Sequence, residues 1–125
     1  MSSVTPAEKE WTEMKDIKQV KSAIMKQLET MKGKIVKSDE AYIECDFGSL
    51  LKSRFIGEFW VSKATLPKRA EIRFDIMGNN ETKVRILVRD THKYGVKWGY
   101  VKKYEEALQE VADSIVGAIQ MVYVT

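Results

Sequence analysis

The residues best suited to chemistry on a partner gather in "THKYGVKWGYVKKY", residues 91–104, which sets four lysines and four aromatic rings into fourteen positions without one carboxylate. Lys93, Lys97, Lys102 and Lys103 suit phosphates, while Tyr94, Trp98 and Tyr100 offer flat faces on which bases stack. One reading is a patch for nucleic acid or another polyanion. The plainer one is a sheet-to-helix crossover whose rings plug the end of a core. Lys102 and Lys103 fall at the start of a helix, where cations oppose the dipole by roughly 0.3 kcal/mol or more each unless an anion docks or Glu105 and Glu106 neutralise them. Further basic points come from Lys68 and Arg69, placed with Lys63 on a polar loop "KATLPKR", and from Arg73 and Arg85, which meet if their strands pair in register.

Catalytic chemistry finds thinner support. An acid–base pair needs two carboxylates held in a cleft that separates their pKa values, and the candidates are Glu44, Asp46, Glu58, Glu71 and Asp75. All but Glu58 alternate with apolar residues, which marks a solvated sheet face. Cys45 and His92 would form a nucleophilic pair only if the fold joined them, and Cys45 falls on an inward strand face, where a thiol behaves as a small hydrophobe. One histidine and one cysteine leave no metal-binding spacing, and "GVKWG" lacks the length and context of a phosphate loop. The expectation is a non-enzymatic protein with no cofactor and no metal.

Composition sets the frame. The 125 residues fit a single domain, 1–125, with 1–10 free to fray, and 44% hydrophobic content suffices for an ordinary core. A lone cysteine and no apolar leader lead to a reducing, cytoplasmic setting as the expectation. No run approaches the ~20 uninterrupted apolar residues that span a bilayer. The net charge is only +3, but its distribution is uneven. Residues 70–104 hold eight Lys/Arg against four Asp/Glu, and 105–125 hold none against four.

The elements that must position these groups follow from hydrophobic period. "TPAE" at 5–8 combines a capping threonine, a first-turn proline and a returning glutamate, so a helix is expected from there. Its stripe would run Trp11, Met14, Ile17, Val20, Ile24, Leu28, Met31, ending at "KGK", 32–34. Such a helix over 6–31 would be roughly 39 Å long, so either it breaks near Lys15 and Asp16 or its Trp11 end frays or overhangs; fraying is the expectation. "KIVK" then predicts a short strand, and "SDE" a turn. "AYIECDF" alternates Ile43, Cys45 and Phe47 inward, and 50–62 reads as a strand bent at Gly57. "AEIRFDI" and "TKVRILV" form a hairpin around "GNN", with either Phe74 opposite Val84 and Arg73 opposite Arg85, or a two-residue shift. A second helix from Val101 to Met121 turns Tyr104, Leu108, Val111, Ile115, Ile119 and Val122 inward.

The predicted fold is α+β: an antiparallel sheet of four or five strands carrying an N-terminal and a C-terminal helix on one face. This layout is similar to that of helix-grip and TATA-binding-like domains, in which a sheet curls around a long helix. Beyond Asp113 the last helix is apolar around most of its circumference, so a curled sheet, a second subunit or an amphipathic ligand must cover it. The leading expectation is a small binding or adaptor domain that self-associates through Trp11, Met14, Val116 and Met121. Nucleic-acid or polyanion binding through 91–104, and an apolar or amphipathic ligand between sheet and C-terminal helix, are the alternatives.

Overall fold

A computed structural model describes residues 4–48, 66–91 and 101–124, with side chains in the last stretch as far as 117. Among the described residues seven elements follow one another: β1 (Ala7–Glu13), α1 (Ile17–Thr30), β2 (Lys34–Asp39), β3 (Tyr42–Phe47), β4 (Lys68–Gly78), β5 (Glu81–Asp90) and α2 (Val101–Val124). The strands make one antiparallel sheet in the order β1-β5-β4-β3-β2. Both helices pack on it, giving the expected α+β fold.

The hairpin adopts the first of the two registers, with Ile72 opposite Ile86, Arg73 opposite Arg85 and Phe74 opposite Val84. Asn79 and Asn80 make its turn, Asn80 at a φ of 55°, a left-handed conformation that asparagine tolerates. The register slips between Ile76 and Gly78, and Ile76, expected inward, is exposed. Alternation holds elsewhere: Ile43, Cys45, Phe47, Ala70, Ile72, Phe74, Val84, Ile86 and Val88 are buried. They meet Val20, Ile24 and Leu28 of α1 and Tyr104, Leu108 and Ile115 of α2. Burying each large aliphatic side chain is worth about 1.5–3 kcal/mol, so this double layer is what holds the sheet flat side to helices.

The N-terminal segment departs from expectation. Residues 7–13 form an edge strand against β5, so the helix predicted from Thr5 is replaced by pairing from Ala7 onward; of the segment expected to fray, residues 1–3 lie outside the described residues. Local signals there favour a helix, but the unpaired edge of β5 offers seven residues a ladder, and tertiary pairing overrides propensity. Trp11 consequently lies on a strand, half-buried against the core, its indole N–H donating to Glu13 Oε1 at 2.8 Å. The helix begins where the alternative break was placed. Asp16 takes an extended conformation and its Oδ1 accepts from the Gln19 N–H at 2.9 Å, capping α1.

The end of α1 is a Schellman closure: the Gly33 N–H donates to the Leu28 carbonyl and the Lys32 N–H to that of Glu29. The left-handed residue is Lys32, at a φ of 62°, and not the glycine. Gly33 is needed for a different reason. A Cβ there would run into Cys45 Sγ and stand 2.7 Å from Phe47 Cε1. The predicted 50–62 strand and its bend at Gly57 lie outside the described residues.

Candidate functional site

The outward sheet face is a lattice of matched charges. Arg69 forks onto Asp46 at 2.6 and 2.9 Å and reaches Glu44 Oε1 at 2.7 Å. Arg89 meets Glu71 at 3.2 Å, Lys83 meets Glu10 at 2.6 Å, and Arg85 meets Asp75 at 3.4 Å. The Tyr42 hydroxyl donates toward both Glu44 and Glu71, and its pKa is pushed up to about 12, first by burial and then by these carboxylates. Arg73 stacks over the Tyr42 ring, 4.9 Å from its centroid. Four of the five carboxylates weighed for acid–base work, Glu44, Asp46, Glu71 and Asp75, are thus committed to these ion pairs; Glu58 lies outside the described residues. Arg69, Arg73 and Arg85 likewise sit on strands with partners, and Arg69 opens β4 with Lys68 where a loop was expected.

Of the basic-aromatic segment, Lys93, Tyr94, Lys97, Trp98 and Tyr100 lie outside the described residues. Lys102 and Lys103 occupy the first turn of α2 as expected. His92 also lies outside, while Cys45 is fully buried, its thiol pushed up to about 12 chiefly by burial and secondarily by Asp46. Among the described residues no three His, Cys, Asp or Glu side chains gather as a metal ion would require. Nor is any described helix long and apolar enough to cross a membrane. Of the four residues expected to drive self-association, Trp11 on β1 and Val116 on α2 are half-buried against the core, Met14 is exposed at the β1–α1 corner, and the side chain of Met121 lies outside the described residues.

A different place draws chemistry together, where the ends of α1, β3 and β4 meet the middle of α2. A cleft of about 340 Å³ opens there, lined by Met31, Phe47, Ala107 and Val111 as its apolar walls and by Lys32, Lys68, Glu110 and Ser114 as its polar groups. Its geometry is fixed from several sides. The buried Tyr104 hydroxyl of α2 donates to the Pro67 carbonyl, which also accepts from the Thr91 N–H, so the start of β4 is tied to α2 and to the end of β5. Gln27 of α1 donates to the Ser114 carbonyl at 3.1 Å, and Lys9 of β1 pairs with Asp113 at 3.1 Å, locking both other elements to the same helix.

Lys68 is the unusual member of this cleft. It stands opposite Phe47 on β3 and Asp90 on β5, in phase with Ala70, Ile72 and Phe74, and is only 3% exposed. No hydrogen bond or ion pair to its ammonium group is found among the described residues. Burial therefore pulls its pKa down from 10.5 to about 8, with Glu110 on α2 acting weakly in the opposite direction. The sequence did carry a signal for this: the alternation of β4, extended back past Ala70, places Lys68 on the inward face. Reading Pro67 and its basic neighbours as a loop hid it. Comparison with protein-family models gives no match, and comparison with curated proteins gives no similar sequence.

Proposed function

We propose that this protein is a non-enzymatic binding domain that holds a small amphipathic molecule between its sheet and its C-terminal helix. The observation that carries the reading is the cleft of about 340 Å³, whose apolar walls come from both layers and enclose one buried amine. Small-molecule sites are typically concavities of about 300–1,000 Å³, mostly apolar, with a few convergent polar groups that fix orientation. The cleft has that composition. The hollow on the outward face, about 470 Å³, is instead lined largely by charged residues such as Glu71, Arg73 and Arg85.

The test is an amide-shift titration with the uncharged fluorophore N-phenyl-1-naphthylamine. Saturable shifts clustered on Met31, Phe47, Ala107 and Val111, abolished by Ser114→Phe at the cleft wall with an unchanged circular dichroism spectrum, are the expected result. Shifts confined to 91–104, or no saturable shift, would overturn the reading.

Self-association is a second reading with its own support. Met14, Ile76 and Met77 are exposed by 69%, 68% and 56% at one end of the sheet. Beside them a groove lined by Ile17, Ala41 and Phe74 carries lysines, Lys18 and Lys21, on its helix side and Glu40 and Asp75 on its strand side. A two-fold copy would set the lysine side of one groove against Glu40 of the other. Sedimentation should then show mass rising with concentration in the micromolar to millimolar range, and a constant monomer mass would remove it.

A further inference from the structure

We propose that the ligand of this cleft is an amphipathic monocarboxylate whose head group pairs with Lys68 while its apolar part lies against Phe47, Met31 and Val111. The inference rests on the binding function proposed above and adds the chemical class of what is bound.

A cation taken out of water is costly unless it is paired and hydrogen-bonded. Lys68 is 3% exposed, lines the cleft, and has no bonded partner among the described residues. The charged groups around it do not supply one. Asp90 stands opposite on β5 without forming an ion pair to it, and Glu110 on α2 is exposed. Lys32 adds a second positive charge from the α1–β2 corner, so the described residues of the lining hold two cations against one anion. Its polarity is that of an anion receptor with greasy walls. A carboxylate entering with an apolar tail satisfies both halves: three ammonium donors meet two acceptor oxygens, and the tail covers the faces of Phe47, Met31 and Val111. An alcohol would supply a weaker, uncharged acceptor, and an amine would be repelled.

The discriminating experiment displaces N-phenyl-1-naphthylamine with octanoate, octanol and octylamine at pH 7. Octanoate should compete at concentrations roughly ten-fold to a hundred-fold lower than octanol, the range a charge-assisted hydrogen bond supplies, and octylamine should be weakest. Lys68→Met should keep the fluorophore and lose the preference for octanoate, and Lys68→Arg should keep both. Equal potency of octanoate and octanol on the native protein, or a preference that survives in Lys68→Met, would overturn the carboxylate assignment while leaving the cleft a binding site. Failure of the fluorophore to bind at all would remove the binding function and this assignment together.

Discussion

Replacing Lys68 with methionine should make the protein more stable, and by an amount that depends on pH in a defined way. The amine titrates near 10.5 in an unfolded chain and near 8 in the folded one, a depression caused first by burial. Each tenfold shift in a proton equilibrium is about 1.4 kcal/mol, so confining the ammonium costs the fold roughly 3 kcal/mol at pH 7. The unfolded chain binds the extra proton, so native stability rises with pH. Below pH 8 the amine is charged in both states and the full cost applies. Above 10.5 it is neutral in both and the cost is gone. Methionine keeps the length and removes the charge. Urea unfolding followed by far-ultraviolet circular dichroism at pH 7, 8, 9 and 10 should find Lys68→Met ahead by about 3 kcal/mol at pH 7, by about 2 at pH 9, and by under about 1 at pH 10. Glu110, Asp90 and Lys32, the charged groups near Lys68 among the described residues, are present in both proteins, as are Cys45 and Tyr42, so the difference reads the amine and its attraction to Glu110. A gap that stays constant across this range, or a native protein that is the more stable at pH 7, would show that the buried cation is compensated in full.

Other predictions test the frame around the cleft. Gly33→Ala should destabilise by about 1–3 kcal/mol in urea unfolding, because the new methyl group drives into Cys45 and Phe47, both packed in the core. Lys32→Gly should act in the opposite sense, raising stability by about 0.5–1 kcal/mol, since its left-handed backbone strains any residue with a Cβ. Asp16→Ala should cost about 1 kcal/mol by removing the bond that caps α1, read as a lower melting temperature. Cys45 should resist 5,5′-dithiobis(2-nitrobenzoate) at pH 8 until urea unfolds the protein, because its thiol is buried and held far above its ordinary pKa of 9.0.

What could be read from the chain alone depended on how local the deciding physics was. β3, the β4–β5 hairpin and α2 announce themselves by period, since each has one wet and one buried face over many residues. β1 does not: Thr5, Pro6 and Glu8 satisfy every local rule for a helix start. The strand exists only because β5, distant in sequence, has an edge to fill. The Thr5 N–H that would have opened a helix donates instead to Glu105 of α2 at 2.8 Å. The cleft was legible in outline, as a space between sheet and C-terminal helix, but not its chemistry. The alternation of β4, carried back past Ala70, places Lys68 on the inward face, but the contact from Tyr104 to Pro67 that ties this end of the strand to α2 is stated by no sequence pattern.

β2 has a consequence for how the protein behaves when crowded. All six of its residues are exposed, and Ile35 and Val36 would suit the ladder of a neighbouring molecule. Yet its pairing to β3 skips a residue between Ile35 and Lys37, which bends the ribbon, and Lys34 and Lys37 stud it with like charge. A kinked, cationic margin is poor template for fibre growth. Deleting Val36 should remove that irregularity, and light scattering should then show more association than in the native protein, held in check by Lys34 and Lys37.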